Sequence, residues 1–428
     1  MIDKTIEEIR KNRAWNPERW KQIQNQATSL SDHYRDVIRR KKESGDPVIH
    51  FAAYVVFDAM FGMHEVFSLM RSMPDRWDPR IVILPDLAKE YDQKVQIYRR
   101  CREYFVRLYG SDKVLDGWDI QNDRFIDYTD QFDMIYFQNP YDARVPEVHS
   151  ISYASTKNVL PVYVNYGYDV GYHTMYARMK GPELNYVWKY FTETVYSLED
   201  CKKLQIIQGK NVVLTGYAKM DALAGFPAGK KGQRKKILIT AHHSFRFPEL
   251  PLSNFLSCYK LILQLPEMFP DIDFVFRPHP GLFGKLILHK VWTKEELAAY
   301  LKALEEAGIE YSGGGEYLSL FAQCDAIIND CGSFTLEWLF TGKPGCFVMN
   351  ENLKDEHLTT QMKEALSRYR IARNHEDIIR FISDVAAGLY PESQEMDDWV
   401  REKIAVNYPH VAEKILDEMD ILNRDSIS

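Results

Sequence analysis

Three short clusters in this sequence can hold an anion, and each directly follows an apolar run. The first is Arg277-Pro278-His279-Pro280, which follows Asp273-Phe274-Val275-Phe276. Such a run reads as a buried strand, so the cluster falls at a strand's C-terminal end, the edge where open α/β sheets bind ligands. The flanking prolines stiffen the turn and set the direction of the imidazole. Arg277 is permanently cationic and His279 offers one or two N–H donors. Together they suit a diphosphate, above all one that gains charge as a leaving group. The alternative is a histidine packed or capping in an ordinary turn.

The second cluster runs Ile327-Ile328-Asn329-Asp330-Cys331-Gly332-Ser333-Phe334-Thr335-Leu336-Glu337. A strand ends, a turn of small residues follows, and a helix begins with free N–H groups and a positive dipole end. Gly332 allows close approach of a phosphate, and Ser333 and Thr335 add hydroxyls. Glu337, four residues after Ser333, shares its helical face and can accept from ribose hydroxyls. Equally, Ser333 can be a helix cap and Glu337 a solvated acid. The third cluster, Ala241-His242-His243-Ser244-Phe245-Arg246, follows Lys236-Ile237-Leu238-Ile239-Thr240. His242, His243 and Arg246 can shape an anion site at the sheet edge or form a structural turn. Adjacent histidines can bind a metal, but no further ligand at regular spacing accompanies them. The Gly313-Gly314-Gly315 run reads as a loop near the donor, with Gly314 at its centre, or as a flexible turn. Upstream, Asn165-Tyr166-Gly167-Tyr168-Asp169 follows another strand, with His173 close by. This is the natural place for an acceptor site, where Asp169 or His173 takes a proton from an attacking hydroxyl; either can instead be part of a capped turn. His64, after the first strand, is a further residue that can reach a cleft.

The elements that must position these residues alternate. Apolar runs at 48–57, 80–85, 132–138 and 159–167 are separated by helical stretches near 63–73 and 88–109. Short strands are then expected at 194–198 and 211–216, followed by a Gly-, Pro- and Lys-rich hinge at 224–236. A second series follows at 236–241, 273–280, 308–315, 325–333 and 345–349, with a helix near 294–307 and a charged helical tail from about 394 to 423. Alternation of this kind implies parallel sheets with crossover helices. The expected fold class is α/β: two Rossmann-like domains with parallel sheets facing a cleft, plus N- and C-terminal helices. The expected segments are a helical 1–45, an acceptor domain 46–193, a donor domain 194–393 and a helical tail 394–428.

The chain has 428 residues, 45% hydrophobic and 27% charged, with a net charge of −7. That composition is globular and argues against a broad nucleic-acid-binding face, so no nucleic-acid partner is expected. Six scattered cysteines without a C-x-x-C pair fit free thiols in a reducing cytoplasm. The N-terminus has no apolar core of a signal peptide, and Phe51 to Phe67 is broken by Asp58, His64 and Glu65. A cytoplasmic protein is expected, soluble or attached to the inner face of a membrane. Asp3 can cap a first helix, with Glu7 and Glu8 in its first turn. Residues 1–44 carry eleven Lys/Arg against seven Asp/Glu. Their Arg39-Arg40-Lys41-Lys42 run is either an anionic-membrane contact or a solvated helix end. There is no G-x-G-x-x-G after a strand, no G-x-x-x-x-G-K-[ST] and no G-x-S-x-G, which removes the main support for dinucleotide-binding, P-loop and Ser-His-Asp hydrolase readings.

Over about 194–350 the sequence resembles the CDP-glycerol glycerophosphotransferase family of teichoic-acid and capsule polymerases and primases. Thr215-Gly216-Tyr217-Ala218-Lys219-Met220-Asp221-Ala222-Leu223 resembles its G-x-P-R-x-D-x-L element, with Ala218 and Lys219 replacing Pro and Arg. Lys236 to Arg246 is similar to its strand and A-P-T-x-R or A-P-H-H-S turn. Arg277 to Pro280 is similar to R-x-H-P, and Asn329 to Ser333 with Glu337 to S-D-Y-S-S-x-x-x-D. The resemblance implies a GT-B fold with no bound catalytic metal and no cofactor. It implies that His279 and Ser333 bind the diphosphate of a cytidine-nucleotide donor. It also implies transfer of glycerol phosphate to a hydroxyl of a polymer or lipid-linked acceptor at the cytoplasmic membrane face. The family's W-H-G-T-P-x-K element, whose histidine is the proposed base, is replaced by Val164-Asn165-Tyr166-Gly167-Tyr168-Asp169. That departure points to a divergent branch using a different CDP-alcohol or a CMP-sugar. Two alternatives stay open: a CMP- or UDP-sugar glycosyltransferase or epimerase of GT-B fold, and an inactive envelope-assembly scaffold.

Overall fold

The computed structural model describes residues 17–179, 181–227, 229, 234–390 and 395–423. Asp3, Glu7 and Glu8 lie outside the described residues. The chain forms two compact units. The first holds Met1–Tyr166, Tyr176–Asp221 and Val406–Ser428; the second holds Gly167–Met175 and Ala222–Ala405.

In the first unit the strands are β1 (Ile49–Val55), β2 (Trp77–Ile83), β3 (Val114–Asp116), a small antiparallel hairpin of β4 (Trp118–Asp119) and β5 (Arg124–Phe125), β6 (Met134–Phe137), β7 (Leu160–Val164), β8 (Lys189–Thr192) and β9 (Val212–Leu214). Seven of them form one parallel sheet in the order β3-β2-β1-β6-β7-β8-β9. Every residue of β6 and β7 is buried, as expected where helices cover both faces of a parallel sheet. The helix Pro17–Ser44 buries Ile23, Ala27, Leu30, Tyr34 and Val37, a stripe at three- and four-residue spacing.

Within the basic run on this helix Lys41 is buried, while Arg39, Arg40 and Lys42 are exposed. Arg39 pairs with Asp36 and Glu43, and Arg40 donates to Asn158. Lys41 is buried and bridges Asp46 at 2.7 Å and Asp133 at 2.8 Å. No helix among the described residues is long and apolar enough to cross a membrane.

The second unit is built on β10 (Lys235–Ala241), β11 (Ile272–Pro278), β12 (Glu310–Tyr311), β13 (Ala326–Asn329), β14 (Gly345–Val348) and β15 (Arg370–Ala372). They form a parallel sheet in the order β12-β11-β10-β13-β14-β15. The strand that comes first in the chain, β10, is central and the order reverses beside it, which creates the switch point of a doubly wound sheet. The buried faces of β10, β11 and β13 pack through Ile237, Ile239, Phe274, Phe276, Ala326 and Ile328 onto the surrounding helices.

Two expectations need correction. The segment 194–198 is not a strand but the start of the helix Val195–Leu204, where the Thr194 side chain accepts from Ser197 N–H as an N-cap. The strand is β8, just upstream; the β-branched and aromatic residues of Thr194-Val195-Tyr196 mislead because capping outweighs their strand preference. Second, β9 pairs with β8, so the chain stays in the first sheet to Leu214 and in the first unit to Asp221, and does not leave near residue 193. The tail also divides. Residues through Ala405 belong to the second unit, while the helix Val411–Met419 belongs to the first. Asp221 receives the Ala412 N–H at 2.7 Å, and Gly216 has φ +98° with no room for a side chain against the Val406 carbonyl. The Gly216-to-Asp221 element thus seats the returning C-terminal helix.

Candidate functional site

His242, His279 and Asp330 each stand one residue past the end of a parallel strand, β10, β11 and β13 respectively. These strands are adjacent, so parallel pairing alone brings the three residues to one edge. His242 and His243 have ring centroids 4.3 Å apart, His243 and His279 4.0 Å, and His242 and His279 5.5 Å. The His279 N–H donates to the Ala241 carbonyl at 2.8 Å, which ties the two strand ends together. Burial of the rings, then the neighbouring imidazoles and Lys285, depresses the His242 pKa well below the usual range and that of His243 to about 3. Burial and then Lys285 push His279 down to about 4. The three imidazoles are therefore neutral at physiological pH.

Beneath it lies Asp330, which is only 3% exposed. Its carboxylate accepts the backbone N–H groups of His242 and Asn254, both at 2.6 Å. Burial raises its pKa to about 7, against the lowering effect of those two donors. The helix Gly332–Glu337 starts two residues further on. Its N-cap position is Cys331, without a side-chain cap, so Ser333 is not the cap and stands half-exposed in the first turn. Thr335 is buried and donates back to the Cys331 carbonyl at 2.8 Å, which directs its hydroxyl into the helix and not toward a ligand.

Arg277 differs from the expectation of a direct diphosphate contact. It is buried and donates to Ser312 Oγ at 2.7 Å and to the carbonyls of Gly314 at 3.3 Å and Gly315 at 2.7 Å. Its guanidinium lies 5.3 Å from the ring centre of Tyr317. The Tyr317 hydroxyl donates to Glu337, which is buried and not solvated. A continuous path thus joins the glycine loop, Arg277, Tyr317 and Glu337. Arg277 shapes the loop because five planar donors can satisfy several carbonyls at once. Tyr317 has no local motif to mark it, and only the packing reveals it. Replacing Tyr317 by Phe removes one donor from a buried carboxylate. The expected cost is about 2 kcal/mol of stability, read by urea denaturation.

Gly167, Asp169 and His173 are also not where the sequence pointed. They pack with the second unit. A side chain at Gly167 would come within 3.0 Å of Ser333 Oγ, and one at Gly332 within 2.5 Å of Val170. The Asp169 carbonyl accepts from Thr359 Oγ1 at 2.8 Å and Gln361 Nε2 at 2.5 Å. Asp169 is buried, while His173 is half-exposed and packs edge-on to Phe247 at 6.0 Å, on the loop that follows His243. Arg246 is exposed on the same loop. The second unit therefore gathers the histidine cluster, Ser333, Asp169 and His173. Asn165 stays in the first unit. It donates to the buried Glu193 at 2.6 Å and accepts from Tyr190 at 3.1 Å, while Thr192 and Ser197 complete the carboxylate's partners. His64 is occupied as well, with Nδ1 2.6 Å from the Tyr109 hydroxyl. No group of three or more ligating side chains that could hold a metal occurs among the described residues.

Neither a protein-family model nor a curated protein sequence matches the chain. Solved structures do. A variant of the wall teichoic acid polymerase TagF superimposes with a TM-score of 0.56 at 14% identity, covering 93% of this chain and 98% of that one. A UDP-N-acetylglucosamine 2-epimerase gives 0.55 at 15% identity, covering 87% and 95%. The Methanocaldococcus jannaschii UDP-GlcNAc 2-epimerase, in complex with UDP-GlcNAc and UDP, gives 0.51 at 12% identity, covering 87% and 99%. The chain has a GT-B-like α/β fold. At these identities the likeness extends to architecture and no further.

Proposed function

We propose that the chain is a transferase that moves glycerol phosphate, or a related group, from a CDP-activated donor to a hydroxyl of a cell-surface polymer or lipid-linked acceptor. The observation that carries this reading is the histidine cluster beside the Ser333 helix start, at the carboxyl edge of a doubly wound sheet. His242 and His279 bind the donor's diphosphate through ring N–H groups, with Ser333 and Gly332 at the helix start. Arg277 and Gly314 shape the adjoining loop, and Glu337 anchors it through Tyr317. His173, with Asp169 near it, takes the acceptor's proton. The acceptor oxygen then bonds to the phosphorus that carries the transferred group. The bridging P–O bond breaks, and CMP leaves with the electron pair. The N–H donors stabilise that developing charge. Arg246 and His243 complete the rim.

A second reading, a nucleotide-sugar transferase or epimerase, is favoured by the epimerases among the structural neighbours and by the missing acceptor histidine at 165–169. Thermal unfolding with CMP, CDP, UDP and GDP separates the two. A ligand at a hundredfold excess over its Kd raises Tm by about 5 °C or more. Selective stabilisation by cytidine nucleotides supports the first reading, selective stabilisation by UDP the second, and no shift with any nucleotide rejects both.

A further inference from the structure

The three histidines are not equivalent, and the difference assigns a role within the anion site proposed above. The His279 Nδ1 accepts the Gly281 N–H at 2.9 Å. The His242 Nδ1 lies 2.8 Å from Ser244 Oγ, which itself accepts the Leu252 N–H at 3.1 Å. The Gly281 donor places the His279 ring's own proton on Nε2; His242 Nδ1 is engaged with the Ser244 hydroxyl, which already accepts from Leu252. His243 sits between them, and its Nδ1 is buried with no hydrogen-bond partner. Of the three rings, His243 is the one whose Nδ1 is unengaged, so it can gain a proton there without breaking an existing hydrogen bond.

We propose that His243 takes up a proton when a diphosphate binds at the N–H donors of His242 and His279, so that donor binding is linked to protonation. The groups facing His243 are the imidazoles of His242 and His279 and the ammonium of Lys285 on the helix Leu282–Leu288. The Asp330 carboxylate is committed to the backbone N–H groups of His242 and Asn254. A proton on the empty cluster therefore meets only like charge and a desolvated site. A bound diphosphate reverses that balance. Linkage then requires donor affinity to rise about tenfold for each unit fall in pH between the empty and bound pKa values of His243.

The inference rests on the proposed anion site, and one set of measurements separates the two. The probes are CDP-glycerol and UDP-GlcNAc, whose doubly esterified diphosphates do not titrate near neutrality. Calorimetry on the full chain at several pH values from about 5.5 to 7, in two buffers of contrasting ionisation heat, is expected to show net proton uptake on binding that grows as the pH falls. His243→Asn is expected to lose the uptake and the pH dependence, and to bind the donor more weakly than the unsubstituted chain, the gap widening as the pH falls. Binding without uptake by the unsubstituted chain overturns the inference and leaves the anion site standing. Uptake that persists in His243→Asn removes the role from His243. No binding of either donor removes the site itself. Should the variant fail to fold, the pH titration of ring carbons in histidine-labelled unsubstituted protein, with and without donor, reads the same proton; a His243 signal that donor does not move overturns the inference.

Discussion

Replacing His279 by Ala is expected to lower turnover with the true donor by about 10²–10³-fold, the usual consequence of removing one preorganised donor to a developing negative charge. The residue as a whole keeps solvent exposure just past the end of β11; its ring is desolvated where it rests on His243 and His242 but fills no core position. Its loss should therefore change stability by no more than about 0.5 kcal/mol. Its Nδ1 accepts one backbone N–H, from Gly281, which can turn to water at the surface. Steady-state turnover and urea denaturation of the same preparation check the two halves. Unchanged turnover sinks the role of His279, and a parallel collapse of stability shows that the ring is structural.

Asp330→Ala is expected to act the other way round, through stability first. The carboxylate receives two short backbone N–H bonds in a site only 3% exposed. Truncation leaves both donors buried and unsatisfied, a cost of about 3 kcal/mol in all. Those two donors belong to the turn after β10 and to Asn254, the N-cap of the helix Phe255–Met268. The His242 ring should consequently lose its fixed direction, and nucleotide affinity should fall with stability. Denaturation and calorimetry on the variant test this. Stability within about 0.5 kcal/mol of the parent would mean that water replaces the carboxylate.

How much of this was legible from the residues depends on how local each cause is. The strands at β1, β6, β7, β10, β11 and β13 announce themselves because a strand covered on both faces must be apolar throughout. The positions of His242 and His279 follow, since each stands next to such a run. The helix Val195–Leu204 was missed because its determinant is a single capping bond between Thr194 and Ser197. The Thr194-to-Ser197 spacing was the available signal, and it was outweighed by strand-favouring side chains. The change of unit after Asp221 was missed because strand membership is a pairing between distant segments. Arg277 was read as a ligand contact, since a charged residue in a turn looks available; its carbonyl partners in the 312–315 loop lie more than thirty residues away.

From the residue order alone come the α/β class, the apolar strands and the histidines placed at their ends, because burial and turn chemistry act over a few neighbouring residues. Tertiary structure alone decides three further things. It brings three imidazoles together into one neutral cluster, seals Asp330 beneath them, and sets the turn from Gly167 to Val170 against Gly332 and Ser333. Each of these depends on strand order and on contacts between residues far apart in the chain, which no local pattern of side chains encodes.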